Sequence, residues 1–110
     1  MTKVKLVTFG FKYGRPQCNH FIDVSWIPNP FRSPDKDPKT LVLKTDGVMS
    51  MINMITAYIM HISTKDRMIF GIGCSAGRDR SPIIANEIKK MLESYEIDME
   101  VELEHRDMDR

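Results

Sequence analysis

The residues best suited to chemistry in this 110-residue chain form one short segment, from Cys74 to Ser81. The segment reads CSAGRDRS and fits the pattern C-x-x-G-x-x-R-S. It follows an apolar run and precedes residues typical of the start of a helix. A loop in this context can present backbone N–H groups to an anion, because a helix N-terminus carries about half a positive charge. The segment therefore predicts a phosphate-binding loop.

Individual positions of the loop have separate roles in this prediction. Gly77 allows a tight backbone turn, and Arg80 supplies a planar guanidinium that can hold two phosphate oxygens. Ser81 is a good N-cap and Pro82 a good first helical residue, so the helix is predicted to begin there. The predicted phosphate contacts come from Cys74, Ser75, Ala76, Gly77, Arg78, Arg80 and Ser81.

The same loop permits a catalytic interpretation. A helix N-terminus and an arginine both stabilise a thiolate, so Cys74 could attack phosphorus as a nucleophile. Arg80 would then hold the transition state, and Asp79 or Asp23 would be the general acid. In the alternative interpretation, Cys74 is only a small residue that permits the turn, and Arg80 forms an ion pair with Asp23 or Asp79. The residues alone leave both interpretations open.

Apolar periodicity predicts the elements that must position this loop. Residues 4–9, 21–27 and 68–73 are predicted strands, and residues 99–103 alternate apolar side chains with glutamates, as in a strand with one solvated face. A helix is predicted from a cap at Asp46 to residue 62, and another follows Pro82. The polar segment 31–45, with two prolines, is predicted as a long surface loop. The order predicts an α/β domain: a small layered sheet of about four strands with two main helices and the phosphate loop between strand 3 and helix 2.

In such a sheet, ligands gather beyond the carboxyl ends of the strands. The loops after the first three strands should therefore share one site. Besides the phosphate loop, these loops contribute Lys12 and Asn29 as candidate ligand-binding residues. Asp23 lies inside the second predicted strand, and its side chain could face either the same site or the sheet interior.

Composition sets broad limits on function. The formal net charge is +1, so anion binding must come from a local cluster of cations. The length is typical of a single domain, residues 1–110. The two cysteines indicate no disulfide framework, and neither a signal peptide nor a membrane span is predicted. We therefore expect a cytoplasmic protein without membrane contact. We also predict no metal site, since no set of ligand side chains has zinc spacing, and no cofactor.

Four ordered blocks of residues run through nearly the whole chain. The first block is FGFKYG (9–14), and the second is DV (23–24) with PNP (28–30). The third is IGC (72–74) with Gly77 and RS (80–81), and the fourth is HRD (105–107). On these blocks the chain resembles the C-terminal domain of the RapZ RNase-adapter proteins, also called the YvcJ family. The resemblance implies binding of glucosamine-6-phosphate, contact with small regulatory RNA, and self-association. It also implies that residues 74–81 are the phosphate loop and that Asp23 is the site aspartate.

The chain departs from the family pattern at several positions. Asp79 and Phe31 stand where the family has histidines, and the G-x-x-x-x-G-K-[ST] element of the family's other domain is not in this sequence. The last residues read DMDR, where the family has a basic tail. Because affinity for a phosphate backbone grows with the number of cationic contacts, we expect RNA binding to be weak and salt-sensitive.

The loop alone resembles that of cysteine-dependent phosphatases, C-x5-R-[ST]. This second resemblance implies that Cys74 attacks phosphorus while Arg80 holds the equatorial oxygens. The aspartate directly before the arginine, Asp79, makes the loop similar to those of the lipid-phosphatase branches of that group. Gly73 replaces the histidine that often precedes the cysteine.

Our leading hypothesis is a sensor or adapter module that binds a small, sugar-phosphate-like ligand. The alternative is a cysteine-dependent phosphatase. A second alternative is a protein-interaction module that antagonises a related adapter. The expected partners are a phosphorylated small molecule, a second copy of the chain or a related adapter protein, and, weakly, RNA.

Overall fold

The fold was obtained as a computed structural model that describes residues 2–30, 37–62, 67–95 and 98–110. The strands are β1 (Thr2–Gly10), β2 (His20–Asp23), β3 (Arg67–Cys74) and β4 (Met99–His105). The α-helices are α1 (Pro38–Lys44), α2 (Val48–Ile62) and α3 (Arg80–Ser94), and a 3-10 turn covers Phe11–Tyr13.

The four strands form one parallel sheet in the order β2-β3-β1-β4. Parallel neighbours need a crossover between them, and α2 and α3 supply the crossovers that lead into β3 and out of it. These two helices have 15 residues each and are the main helices of the domain. The predicted α/β architecture, with about four strands and two main helices, is confirmed.

The helices cover one face of the sheet. Leu6 of β1 and Ile72 of β3 point into a core that they share with Ile52 of α2 and Ile88 of α3, and all four side chains are fully buried. In β4 the predicted alternation holds, because the apolar side chains pack against this core while the glutamates remain exposed. Burial of this continuous apolar layer is the main stabilisation of the fold.

Helix α1 lies in the segment that was predicted to be a loop, and that part of the prediction is wrong. The Asp37 carboxylate accepts hydrogen bonds from the backbone N–H and the hydroxyl of Thr40, and Pro38 follows at the first helical position. An aspartate cap followed by proline favours a helix start, so Pro38 begins a helix here and does not mark a loop. The predicted loop also includes residues 31–36, which lie outside the described residues.

Two other predicted boundaries differ from the structure. Strand β2 ends at Asp23, because the Asp23 carboxylate accepts hydrogen bonds from the N–H and hydroxyl of Ser25 and turns the chain. Helix α2 begins at Val48, and its first hydrogen bond runs from the Met51 N–H to the Gly47 carbonyl. Asp46 is therefore not its cap.

The other face of the sheet is covered by aromatic rings near the carboxyl end of the strands. A side chain on Gly73 would come within 2.6–2.7 Å of the rings of Phe9 and Phe11, and Phe11 in turn packs edge-on against Phe21. Glycines in β3 thus make room for this aromatic layer. No helix within the described residues is long and apolar enough to cross a membrane.

Candidate functional site

Three loops meet at the carboxyl edge of the sheet, as predicted. Strand β3 lies between β2 and β1, so the loop that follows Cys74 is flanked by the loops that follow Asp23 and Gly10. The Lys12 backbone N–H donates to the Ser75 carbonyl at 3.3 Å, and the Val24 N–H donates to the Gly73 carbonyl at 2.7 Å. The predicted phosphate loop is thereby connected directly to the loop after β1, and the last residues of β3 connect it to the turn after β2.

The phosphate loop lies directly against the end of β1. A Cβ on Gly77 would lie 2.5 Å from the Gly10 nitrogen, and a Cβ on Gly10 would lie 2.4 Å from the Ala76 carbonyl carbon. Gly77 also has a φ of 74°, a conformation that side-chain-bearing residues rarely adopt. Both glycines are required by this close approach of two backbones, which fixes the height of the loop above the sheet.

The segment after β4 holds β1 and the loop together. The Asp107 side chain is fully buried and accepts a hydrogen bond from the Gly10 N–H at 2.8 Å. It also accepts from the Arg106 guanidinium and, at 2.8 Å, from Arg110. A buried carboxylate with two arginines and a backbone donor is fully satisfied, so it can act as a rigid anchor.

The surroundings of Asp107 set its ionisation. Burial acts to raise the pKa of Asp107, but the hydrogen bonds from Arg106 and Gly10 and the charges of Arg106 and Arg110 outweigh it and hold the pKa below 3.8. Nearby, burial lowers the pKa of His105, whose Nδ1 lies 2.8 Å from the Thr8 hydroxyl. The anchor is therefore anionic at neutral pH.

Arg80 bridges the phosphate loop and the turn that follows β2. One terminal nitrogen of its guanidinium donates to the Ser25 and Ile27 carbonyls, each at 2.8 Å. The other terminal nitrogen lies 3.4 Å from the Ser75 hydroxyl. Within the described residues no carboxylate pairs with Arg80, so the ion pairs considered with Asp23 and Asp79 do not form.

A cleft of about 410 Å³ opens beside Arg80. One wall is the turn at residues 25–29, and the other is formed by Ser75 and Arg80 at the start of α3. The first hydrogen bond of α3 runs from Ile83 to Asp79, so the helix itself offers no acceptor for the N–H groups of Arg80 and Ser81. The cleft thus combines a guanidinium, a hydroxyl and a helix N-terminus, which is a set of donors suited to an anion.

Among the predicted site residues, the structure gathers Ser75, Arg80 and Asn29 around this cleft. Asp23 adjoins it through Ser25, which Asp23 holds in the turn. Lys12 contacts the loop through its backbone, and its ammonium lies 5.1 Å above the Tyr13 ring.

Other predicted residues lie below or beside the cleft. Cys74 is 2% exposed, and its Sγ lies 3.3 Å from the hydroxyl of the fully buried Ser81. Ala76 and Gly77 pack against the end of β1. Arg78 donates to the Arg110 carbonyl and does not line the cleft.

The start of α3 differs from its prediction. The helix begins at Arg80 with Asp79 at the N-cap, although the Asp79 side chain makes no capping hydrogen bond. Ser81 is therefore the second helical residue and not the cap. The helix starts at Arg80, two residues before the predicted first helical residue, Pro82. The Arg80 side chain therefore leaves from the first turn of α3 toward the turn at residues 25–27.

Two residues important to the site were missed by reasoning on the residues. Asp107 entered only as part of a family motif, and Trp26 did not enter at all. The arginines one position before and three positions after Asp107 could have indicated a paired carboxylate. Trp26, in contrast, carries no signal in sequence, because its position depends on the turn.

Two further features lie away from the cleft. A cavity of about 220 Å³ at the opposite end of the sheet is lined by lysines, but Lys5 pairs with Glu104 at 2.9 Å and Lys3 lies 3.9 Å from Glu100. Within the described parts of the chain, no group of three or more His, Cys, Asp or Glu side chains could hold a metal ion.

Comparison with known proteins identifies the class. The model of the RapZ C-terminal domain family matches residues 2–109. The chain is 33% identical to a nucleotide-binding protein of Clostridium botulinum over 120 aligned positions, which cover 96% of this chain and 40% of that protein. Nucleotide-binding proteins of Clostridium acetobutylicum and Ruminiclostridium cellulolyticum are each 35% identical and are covered to 40% and 41%.

The chain therefore belongs to the RapZ C-terminal domain family, as the resemblance predicted. It spans about two fifths of the length of these curated relatives. The match extends through all four strands and the cleft, so the family assignment includes the whole site.

The Asp107 anchor leads to a prediction on acid stability. Because the pKa of Asp107 is lower in the folded chain than in the unfolded chain, its stabilisation is complete above the ordinary value near 3.8 and is lost as the pH falls through the folded value. We expect Asp107→Asn to lower the free energy of unfolding at pH 7 by about 1–3 kcal/mol, since the buried side chain loses its charge-assisted hydrogen bonds to two partly exposed arginines. Below pH 4 its stability should depend less steeply on pH than that of the wild type.

Urea unfolding between pH 2 and 7 tests this expectation. Asp109→Asn is the matched control, because Asp109 is exposed two residues further along the chain. Equal stability losses in the two variants, or parallel pH profiles for Asp107→Asn and the wild type, would contradict the anchor role.

Proposed function

We propose that the domain binds a small phosphorylated ligand in the cleft between residues 25–29 and the start of α3. The observation that carries this proposal is the charge of Arg80, which no described carboxylate balances. A half-buried cation held in one orientation by two carbonyls is complementary to an anion. The Ser75 hydroxyl and the N-terminus of α3 add donors to the same cleft.

The family assignment supports a sugar phosphate as the ligand. Glucosamine-6-phosphate is the ligand that the resemblance implies, and the domain would act as a sensor or adapter whose occupancy is passed to a partner. The relatives are named nucleotide-binding proteins, which makes a nucleotide the competing ligand. Two cysteines that form no disulfide agree with a cytoplasmic setting for this function.

The burial of Cys74 favours binding over catalysis. A nucleophile must reach the phosphorus atom, whereas Cys74 belongs to the core cluster beneath the loop and its thiol faces Ser81. Displacing it into the cleft would require the end of β3 to rearrange. Neither candidate general acid, Asp23 or Asp79, lines the cleft, and the Asp23 carboxylate is engaged by the N–H and hydroxyl of Ser25.

A second binding function is favoured by one surface observation. Exposed rings of Phe11, Tyr13 and Phe21 lie beside cations on the sheet face that carries no described helix. The Arg15 guanidinium lies 4.5 Å from the Phe21 ring centre, and Arg110 lies 4.6 Å from that of Tyr13. Rings with adjacent cations suit the stacked bases and phosphates of single-stranded RNA. We propose weak RNA contact there, because only a few cations take part.

The Arg80 assignment predicts a specific loss of phosphate affinity. We expect Arg80→Ala to weaken binding of inorganic phosphate and of glucosamine-6-phosphate by about 1.5–3 kcal/mol, the size of a hydrogen bond to a charged group. Ser75→Ala, which leaves the turn intact, should cost about 0.5–1.5 kcal/mol. Calorimetric titration measures both effects.

Arg78→Ala is the matched control for that titration, since Arg78 belongs to the same loop but does not line the cleft. Its affinity for phosphate should equal that of the wild type. An unchanged affinity in Arg80→Ala, or an equal loss in Arg78→Ala, would overturn the assignment.

The position of Cys74 predicts binding without turnover. The native protein should not hydrolyse p-nitrophenyl phosphate, and Cys74→Ser should retain phosphate affinity, because neither the thiol nor its replacement reaches the cleft. A thiol reagent should modify the half-buried Cys18 faster than Cys74. Hydrolysis that Cys74→Ser abolishes would instead establish a phosphatase.

The RNA proposal predicts a strong dependence on salt. With Arg15 and Arg110 as the two cations at this surface, the affinity for single-stranded RNA should fall by about sevenfold between 50 and 200 mM salt. Gel-shift titration should find weaker binding in Arg15→Ala and Phe21→Ala, and no change in Lys90→Ala, which alters an exposed lysine of α3. Nanomolar, sequence-specific binding at 150 mM salt would show that this surface is not a weak contact.

A further inference from the structure

Trp26 is an exposed aromatic residue in the wall of the phosphate cleft. It is 52% exposed and is the one tryptophan of the chain. No ring or cation among the described residues stacks on its indole. A single exposed ring is common on protein surfaces. Here, however, the ring lines the same cleft as Arg80 and Ser75.

The turn that carries Trp26 is rigid. On its N-terminal side, Asp23 accepts hydrogen bonds from the N–H and hydroxyl of Ser25. The Ile27 N–H donates to the Val24 carbonyl at 3.2 Å, and both of these side chains are fully buried in the core. The neighbours of Trp26 are thus fixed on both sides, which leaves its indole as the outward side chain of an ordered turn.

The same guanidinium fixes this turn and faces the cleft. Arg80 donates to the carbonyls of Ser25 and Ile27, the residues immediately before and after Trp26. The backbone of Trp26 is therefore held between two hydrogen bonds from the residue that we assign to the phosphate. The structure couples the position of the aromatic ring to the position of the anion-binding charge.

We infer that Trp26 is a stacking platform for the ring of the phosphorylated ligand, an inference that rests on the proposed function. The phosphate contacts Arg80 and Ser75, and the ring lies against the indole face. A rigid indole loses little conformational freedom when it stacks, so the contact contributes affinity at low entropic cost. Trp26 therefore selects cyclic phosphate esters over acyclic ones, whereas Arg80 binds both.

The experiment compares ligands that share a phosphate but differ in the attached group. Calorimetry is run with inorganic phosphate, glycerol 3-phosphate, glucosamine-6-phosphate and adenosine monophosphate on the wild type and on Trp26→Ala. The wild type should bind at least one of the two cyclic esters about fivefold or more tightly than glycerol 3-phosphate, and Trp26→Ala should abolish that difference. The affinity for glycerol 3-phosphate itself should not change.

Two further variants test whether the preference for cyclic esters depends on an aromatic ring at position 26. Trp26→Phe should retain part of the preference, and Tyr58→Ala, which removes an exposed ring from α2, should retain all of it. The preferred cyclic ester should change the indole fluorescence of the wild type. Glycerol 3-phosphate, added in a separate titration, should give only the smaller signal seen with inorganic phosphate. The identity of the preferred ester separates a sugar from a nucleobase as the stacked ring.

The possible results separate this inference from the proposed function. If the wild type binds phosphate esters but shows no preference for rings, or if Trp26→Ala retains the preference, the platform is wrong and the phosphate site stands. If the wild type binds none of the four ligands, the proposed phosphate site is contradicted, and the stacking role of Trp26 is contradicted with it.

Discussion

The site depends on the close approach of two backbones, at Gly10 and Gly77. Neither position has room for a Cβ, because each would lie within 2.6 Å of main-chain atoms across the contact. This contact sets the loop after β3 directly on the end of β1, and the buried Asp107 carboxylate holds the Gly10 N–H from the other side. The first turn of α3 then starts at a fixed place relative to the sheet, and Arg80 with it.

The N–H groups of the Arg80 guanidinium are divided between the protein and the cleft. Two carbonyls hold one terminal nitrogen, which orders the turn after β2. The charge of Arg80 has no carboxylate partner among the described residues and remains available to an anion in the cleft. The hydrogen bonds thus position the guanidinium, and a phosphate would balance its charge. This division of roles is what the proposed phosphate site requires of Arg80.

Much of the fold could be predicted from the sequence, because periodicity identifies buried strands and helices directly. The α/β order predicted that the three loops lie at one edge of the sheet, and the structure brings them together there. The C-x-x-G-x-x-R-S pattern predicts an anion site at the same edge, which stays a prediction. The burial of the Cys74 side chain can also be predicted from the sequence. It lies two and four residues after Ile72 and Phe70, which face the core, so strand alternation buries its thiol.

Other features depend on tertiary contacts and could not be obtained in this way. The carbonyl partners of Arg80 lie more than fifty residues earlier in the chain, on a turn that only the fold brings near. The same turn exposes Trp26, so its role became visible only with the cleft. Helix α1 is a different case, since its aspartate–proline start is visible in the sequence, and proline favours both loops and first helical positions.

The central claim is that an anion binds between the residue 25–29 turn and the first turn of α3. An NMR titration of the isotope-labelled chain with inorganic phosphate tests it most directly, because each backbone amide reports separately. We predict saturable shifts of the amides of Ser75, Arg80 and Ser81 and of the Arg80 side-chain N–H. Shifts confined to the amides around Arg106 and Arg110, with those of residues 75–81 unmoved, would contradict it.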